Sequence, residues 1–452
     1  MNHENNGNAC PPAGRRGKHK SVIASDPKGL LRGAHIFGEE RQVLPEKYSR
    51  KKRAVKQSRR LLRPTSGRPR NDGMEQAVRD RYARGAKAKE EALCCPTSYD
   101  PKYLRVIPKE ILEKDYGCGD PSRYLKEGDT VLDLGSGGGK ICYIASQVVG
   151  PKGRVIGVDF NPAMLELARK YQKEAGDRIG WHNVEFVRAR IQDLRTDLEA
   201  LEESLKREPV RSIDDLFQVQ EALERLKGVP LIEDESIDVI VSNCVLNLVR
   251  SEDKKTLFRE MHRVLKKGGR AAISDIVSDE SVPQKLQEDP KLWSGCISGA
   301  FQEKEFFKAF EEAGFYGIKI EKFDERPWRI VRGIEFRSMT ITACKGKEGP
   351  CWEGNQAVIY RGPWKQVVDD DGHVLKRGVR TAVCDKTFQI YSKAPYQDEF
   401  ILVPPSKDIP LSKAKHFDCH RQMERDPRET KGKRFTKPSA MKSVCMDGGG
   451  CC

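Results

Sequence analysis

A doubly wound α/β domain with a mostly parallel sheet, a helical insertion and a small C-terminal β-rich domain is the architecture this 452-residue chain predicts. Three observations carry the α/β part. Residues 131–159, VLDLGSGGGKICYIASQVVGPKGRVIGVD, read as strand, glycine loop, helix and second strand. Twenty residues after Gly139, the acid Asp159 closes that second strand, where a carboxylate accepts hydrogen bonds from both hydroxyls of a ribose. A further acid, Asp133, sits inside the first strand, two residues before the first glycine. Its carboxylate is placed to meet a cationic, amino-acid-like part of a ligand, whereas a dinucleotide site puts a pyrophosphate there.

Each element has its own reason. Residues 131–134 are apolar enough for a buried strand. Gly135, Gly137, Gly138 and Gly139 allow positive φ and let a ligand approach where a Cβ would collide. Residues 141–149 continue as a helix, and 155–158 and 184–188 as strands. Residues 197–233 are a charged insertion in which Leu201, Leu205, Leu216, Leu223 and Leu226 mark a helix pair packing on the outside, a lid or partner surface. From about 345 the texture changes to short β-like runs at 357–361, 387–391 and 400–403, a small domain reaching about 410. The tail, 411–452, ends CMDGGGCC, so Cys445, Cys451 and Cys452 form either a soft-metal capture arm or a terminus without a role.

Composition narrows the function. The formal charge is +15, but residues 1–70 hold 18 Lys or Arg against 5 Asp or Glu, which is +13, leaving +2 for residues 71–452. Basicity therefore belongs to an arm, residues 1–73, which like charge and few large apolar residues predict to be disordered. Without interleaved aromatics the arm reads as a solvated extension more than as an RNA-binding tail, and nucleic acid is not the expected partner. MEQAVRDRYARGAKAKEEAL, from Met74, starts the texture of a folded protein, so 74–127 is read as a helical, thiol-bearing segment ahead of the main domain at 128–344. No apolar run approaches the roughly 18 residues of a membrane helix, and no secretory signal is evident. The fourteen cysteines are then expected in a reducing cytoplasm, serving metal binding or chemistry more than disulfides.

The pattern hydrophobic, hydrophobic, Asp, hydrophobic, Gly, x, Gly resembles the first motif of the S-adenosylmethionine-dependent methyltransferases of doubly wound fold. In that likeness residues 190–193, RIQD, resemble the adenine-side loop, 237–243 the fourth strand, and 262–275 a helix, turn and fifth strand. The resemblance implies S-adenosylmethionine as cofactor, with contacts from Asp133, Gly135, Ser136, Gly137, Gly139, Asp159, Phe160, Asn161, Met164, Arg190, Ile191 and Asn243.

The motifs ALCCP, DYGCGDP, SNCVLNLV and LWSGCISGA, together with the glycine run, resemble those of the arsenite S-adenosylmethionine methyltransferases in the same order across about residues 90–345. That likeness implies that Cys94 or Cys95, Cys118, Cys244 and Cys296 bind and methylate trivalent arsenic. Three soft thiolates hold the soft ion and leave its lone pair to take the sulfonium methyl, so no general base is required. Cys244 and Cys296 are expected to hold the arsenic; Cys118 is the third ligand, or reduces the oxidised product by a disulfide with Cys94 or Cys95. Cys142 matches a further family cysteine but sits on a core helix, and Cys344 and Cys384 read as core residues. Arsenite or methylarsenite as thiol complexes, thioredoxin or glutathione as reductant, and a cytoplasmic monomer complete the implied picture. Methylation of an organic acceptor, methylation of RNA, or non-catalytic binding of a soft metal are the competing readings. A chain lacking residues 1–73 is expected to keep full methyl transfer to arsenite, measured with radiolabelled cofactor.

Overall fold

The computed structural model describes residues 72–93, 97–419 and 424–432. Cys94, Cys95, the three tail cysteines and nearly all of the basic arm lie outside them.

Five parallel strands, β1 (Thr130–Leu134), β2 (Arg154–Asp159), β3 (Val184–Arg188), β4 (Ile237–Asn243) and β5 (Leu265–Ser278), are extended by β6 (Tyr316–Phe323) and β7 (Ile334–Cys344). Their spatial order is β3-β2-β1-β4-β5-β7-β6, with β7 antiparallel to both neighbours. This is the expected doubly wound, mostly parallel form. Helix α1 (Asp72–Lys87) precedes the sheet, and α2 (Lys140–Val149) and α3 (Pro162–Lys170) follow β1 and β2. Helices α4 (Leu198–Arg207) and α5 (Ile213–Gly228) form the insertion, α6 (Lys254–Val264) and α7 (Glu303–Glu312) flank β5, and α8 (Asp385–Tyr391) lies in the C-terminal region.

The strands are continuous apolar runs because helices cover both faces of the sheet. Side chains alternate between two cores: Leu132, Leu134, Ile156, Val158 and Ile240 meet Phe258 and Met261 of α6 and Phe306 of α7 on one face. Val131, Val155, Val239 and Val241 meet Ile141 and Ile144 of α2 on the other. Among the described residues no helix is long and apolar enough to cross a membrane.

The insertion forms the expected helix pair, but its leucines do not bury: neither helix has a buried residue, and Ile213, Leu216 and Phe217 are exposed. Ion pairs hold α4 instead, Arg169 to both oxygens of Glu199 (2.6 and 2.9 Å) and Arg188 to Glu202.

In the C-terminal region Ala357–Tyr360 pairs with Arg380–Ala382 and Phe400–Val403. Residues 387–391, expected as a strand, are the helix α8. A short apolar run fits either period; tertiary packing decides it, because Tyr391 stacks on Phe400 at 4.4 Å and the Cys384 sulfur accepts the Thr387 N–H at the helix start. Ordered chain also continues past 410: Lys415–His416 pairs with Trp352–Glu353, Phe417 is buried, and Arg425, 3% exposed, bonds Glu353 and Glu429. Replacing Arg425 by Met should destabilise this region by about 2 kcal/mol, as loss of hydrogen bonds to charged groups does, read as a lowered unfolding midpoint in urea.

Candidate active site

Strand order reverses between β1 and β4, and a cleft opens at their carboxyl ends. The glycine loop forms its floor. Gly135 (φ 73°) lies so close to Val245 that a Cβ would stand 2.4 Å from it, while a Cβ on Gly137 (φ 51°) would meet nothing within 4 Å, which leaves the backbone bare to a ligand. Ser136 lines the cleft with a buried Oγ that has no hydrogen-bond partner among the described residues. Gly139 (φ 86°) does not face the cleft; it begins α2, its absent Cβ making room for Phe186.

Asp159 accepts the Gly137 N–H (2.9 Å) on one oxygen and the Asn161 N–H (2.8 Å) on the other, so the acid at the end of β2 also shapes the loop. Burial pushes its carboxyl up to about 6, against the opposing pull of the Asn161, Gly137 and Phe160 backbone N–H groups. Asp133, also in the cleft wall, takes the Cys142 thiol at 3.2 Å and is pushed by burial to about 7. A cation brought near Asp133 would favour its charged form. Phe160, Asn161, Met164, Arg190 and Ile191 all line the cleft.

Helix α1 roofs it. Glu75 pairs with Arg190 (2.7 Å), Asn161 Nδ2 donates to the Arg79 carbonyl (3.0 Å), and Val78 and Tyr82 line the space below. Arg81 ties the helix to the loop before Cys296, through the Lys291 carbonyl (3.0 Å) and Ser294 Oγ (3.3 Å). Sequence reasoning assigned no function to Glu75, Val78 or Tyr82, because their roles arise from where α1 docks.

Beside the cleft, Cys118, Cys244 and Cys296 are 1–5% exposed and share one buried cluster. Asn243, expected to touch cofactor, lines the cleft, and its amide also holds a neighbouring loop: Oδ1 accepts the Cys118 and Gly119 N–H groups (2.8 and 3.0 Å), and Nδ2 donates to the Gly119 carbonyl (2.7 Å). It clamps the DYGCGDP loop onto the sheet edge, and the two glycines of that loop permit the approach. A Cβ on Gly117 would stand 2.2 Å from Asn243 Nδ2, and one on Gly119 2.4 Å from Ser274 Oγ. Cys118 is thereby set against Cys244, and the two form a disulfide with Cα atoms 5.8 Å apart. In this structure Cys118 is bonded to Cys244, and the two sulfurs are ligands only once that bond is reduced; Cys94 and Cys95, the partners expected for Cys118, lie outside the described residues. The Cys296 thiol donates to the Cys244 carbonyl (3.2 Å), and Tyr82 Oη lies 3.7 Å from its sulfur.

Cys244 and Cys296 both hold left-handed backbone, φ 61° and 59°. Such strain in non-glycine residues persists only where surroundings over-determine it. They do here: the Cys244 N–H donates to the Ser274 carbonyl (2.8 Å), and buried Asp275 accepts Leu246 N–H (2.9 Å) and Asn247 Nδ2 (2.8 Å). Gly299, in the loop after Cys296, presses so close that a Cβ would stand 2.0 Å from the Asn247 carbonyl oxygen. Cys142 is fully buried, Cys344 half-buried, and Cys384 buried in the C-terminal region.

A family model described as a methyltransferase domain matches residues 125–208 and 211–314, and a domain of unknown function matches 347–435. An arsenite methyltransferase of Aquipseudomonas alcaligenes is 30% identical over 348 residues, 72% of this chain and 90% of the relative. The human arsenite methyltransferase is 28% identical over 371 residues, 78% of this chain and 88% of its own. The crystal structure of an arsenic(III) S-adenosylmethionine methyltransferase from Chlamydomonas reinhardtii is 26% identical, covers 73% of this chain and all of that one, and has a TM-score of 0.46.

The raised carboxyls have a pH consequence. Asp133, Asp159 and Asp275 (also held by burial near 6) bind protons in the folded chain at pH values where the unfolded chain has released them. Their contribution to stability is full below about pH 4 and is lost as pH rises through 6 to 7, by about 1.4 kcal/mol per pH unit for each fully responding group. The ligand-free protein should melt at lower temperature at pH 7.5 than at pH 5.5, and Asp133→Asn should flatten that dependence.

Proposed function

The chain belongs to the arsenite methyltransferase family, and on that premise we propose that it transfers the methyl group of S-adenosylmethionine to trivalent arsenic held by Cys118, Cys244 and Cys296. The placement of these three buried cysteines in one cluster beside the glycine-loop cleft carries the reading. The cleft fits the donor: Ser136 Oγ is a buried polar atom in want of a partner, Gly137 leaves a bare cradle, and Asp133 and Asp159 offer carboxylates to cationic and hydroxyl groups. When bound, S-adenosylmethionine supplies an electrophilic methyl group on a sulfonium.

The chain's own part is to hold, orient and dry the acceptor. Thiolates fix arsenic as a pyramid whose lone pair is free to bond carbon, and the apolar cluster around them, with Trp328 and Phe336, excludes water. No proton leaves arsenic, so no base is needed. Positioning supplies the acceleration, up to ~7–11 kcal/mol for well-oriented reactants. Bonding to carbon takes arsenic from the trivalent to the pentavalent state, and its return requires two electrons. Two thiolates supply them by forming one S–S bond, and the bond between Cys118 and Cys244 supports that pair in the role. A dithiol such as thioredoxin, or two glutathiones, then reopens the disulfide and is itself oxidised. The reading places the work in the cytoplasm, in detoxification of arsenic.

Incubation with labelled cofactor, arsenite and a thiol should yield methylated arsenic. Cys244→Ser should lower turnover on the order of 100-fold, and undiminished turnover would overturn the reading. Asp159→Ala should weaken cofactor binding in calorimetry while arsenite binding is kept; Cys296→Ser should do the reverse.

A further inference from the structure

Three other cysteines converge in the C-terminal region. Cys351 precedes Trp352–Glu353, Cys384 stands just before α8, and Cys419 follows Lys415–His416. Their sulfurs all lie within 4.8 Å of one another, although they come from three separate segments. The backbone holds them there: the Phe417 N–H donates to the Cys351 carbonyl (2.8 Å), and the Cys384 sulfur accepts the Thr387 N–H (3.4 Å) with the Thr387 hydroxyl 3.2 Å away. Cys384 is 1% exposed; Cys351 and Cys419 are half-buried, so an ion has a way in.

As neutral thiols these groups gain little from meeting, since a thiol is a weak donor and weak acceptor. Burial also pushes Cys384 and Cys419 up, away from ionisation. A thiophilic cation reverses that balance, because coordination deprotonates a thiol outright. Sulfurs sharing one ion at about 2.3 Å stand about 3.8 Å apart, within a small contraction of what is found. The region also has cause for a staple. Its apolar core is two small clusters, one around Tyr360, Tyr391 and Phe400 and one in which these cysteines pack with Ala382 and Phe417, and small units commonly supplement such cores with a metal.

We propose that Cys351, Cys384 and Cys419 form a three-thiolate site for a thiophilic ion, zinc(II) or trivalent arsenic, separate from the methyl-transfer centre. On binding, each thiol releases its proton and forms a sulfur–ion bond, with no change in oxidation state. The site joins the two ends of the C-terminal region and does not depend on methyl transfer by the other cysteines.

The test uses the full chain, reduced, with Cys244→Ser and Cys296→Ser as background so that the methyl-transfer centre does not contribute. Zinc chloride or arsenite is added in separate samples, unbound ion is removed by gel filtration, and the ion retained per chain is measured by mass spectrometry. Cys351→Ser, Cys384→Ser and Cys419→Ser are then each added. Serine is itself a good helix cap, so Cys384→Ser keeps α8 capped while removing its thiolate, and cofactor binding at the background affinity verifies folding. The expected result is a loss of about one equivalent of zinc or of arsenic with each substitution, and the ion lost identifies the occupant. Retention of both ions unchanged by all three substitutions, or no ion held by the background, would overturn the proposal.

Discussion

The clamp that Asn243 makes on the loop carrying Cys118 is the contact on which the acceptor half of the centre depends. One amide at the end of β4 accepts from two consecutive backbone N–H groups and returns a bond to a carbonyl of the same loop. That places a segment from before the sheet against the carboxyl edge of β4 and β5, within disulfide reach of Cys244. Two glycines make the approach possible, since any side chain at 117 or 119 would enter the space of Asn243 or Ser274. Ser338, whose hydroxyl donates to the Cys118 carbonyl (2.8 Å), and Tyr99, which donates to the Gly119 carbonyl (3.0 Å), complete the attachment of this loop.

The donor half is organised by the same means, backbone groups bonded to a buried acid. Asp159 holds the glycine loop from the neighbouring strand while still facing the cleft, and Asp275 holds the turn after Cys244. Both carboxyls sit in surroundings that resist their charge, and both strained cysteines sit in backbone that resists their side chains. These costs gather at one edge of the sheet, and the two apolar cores behind it offset them. Such concentration of unfavourable terms is expected where geometry serves chemistry more than stability.

Helix α1 and the C-terminal region show two ways in which a chain adds to a doubly wound core. The helix closes the cleft through Glu75, Arg81 and Tyr82, linking the cofactor side to the Cys296 loop by ion pair and hydrogen bond. The C-terminal region instead keeps its own apolar cluster, its own buried arginine and its own set of thiols. The charged insertion is held through α4 by arginines of α3 and β3, and its leucines are half-buried or exposed.

Local signals in the sequence determined the sheet, the loop and the donor: a run of apolar residues, glycines that must take positive φ, and an acid at a strand end are all set within thirty residues. Motif order likewise pointed to Cys118, Cys244 and Cys296. What only the tertiary structure decided is how distant residues meet. Asn243 lines the cleft and also holds a loop, Gly139 makes room for Phe186, and Cys118 is bonded to Cys244, because each depends on which edge lies opposite. Residues 387–391 became a helix for the same reason, Tyr391 finding Phe400. The meeting of Cys351, Cys384 and Cys419 had no sequence signal at all, since their spacing matches no metal motif and only antiparallel pairing of the region's two ends brings their sulfurs together.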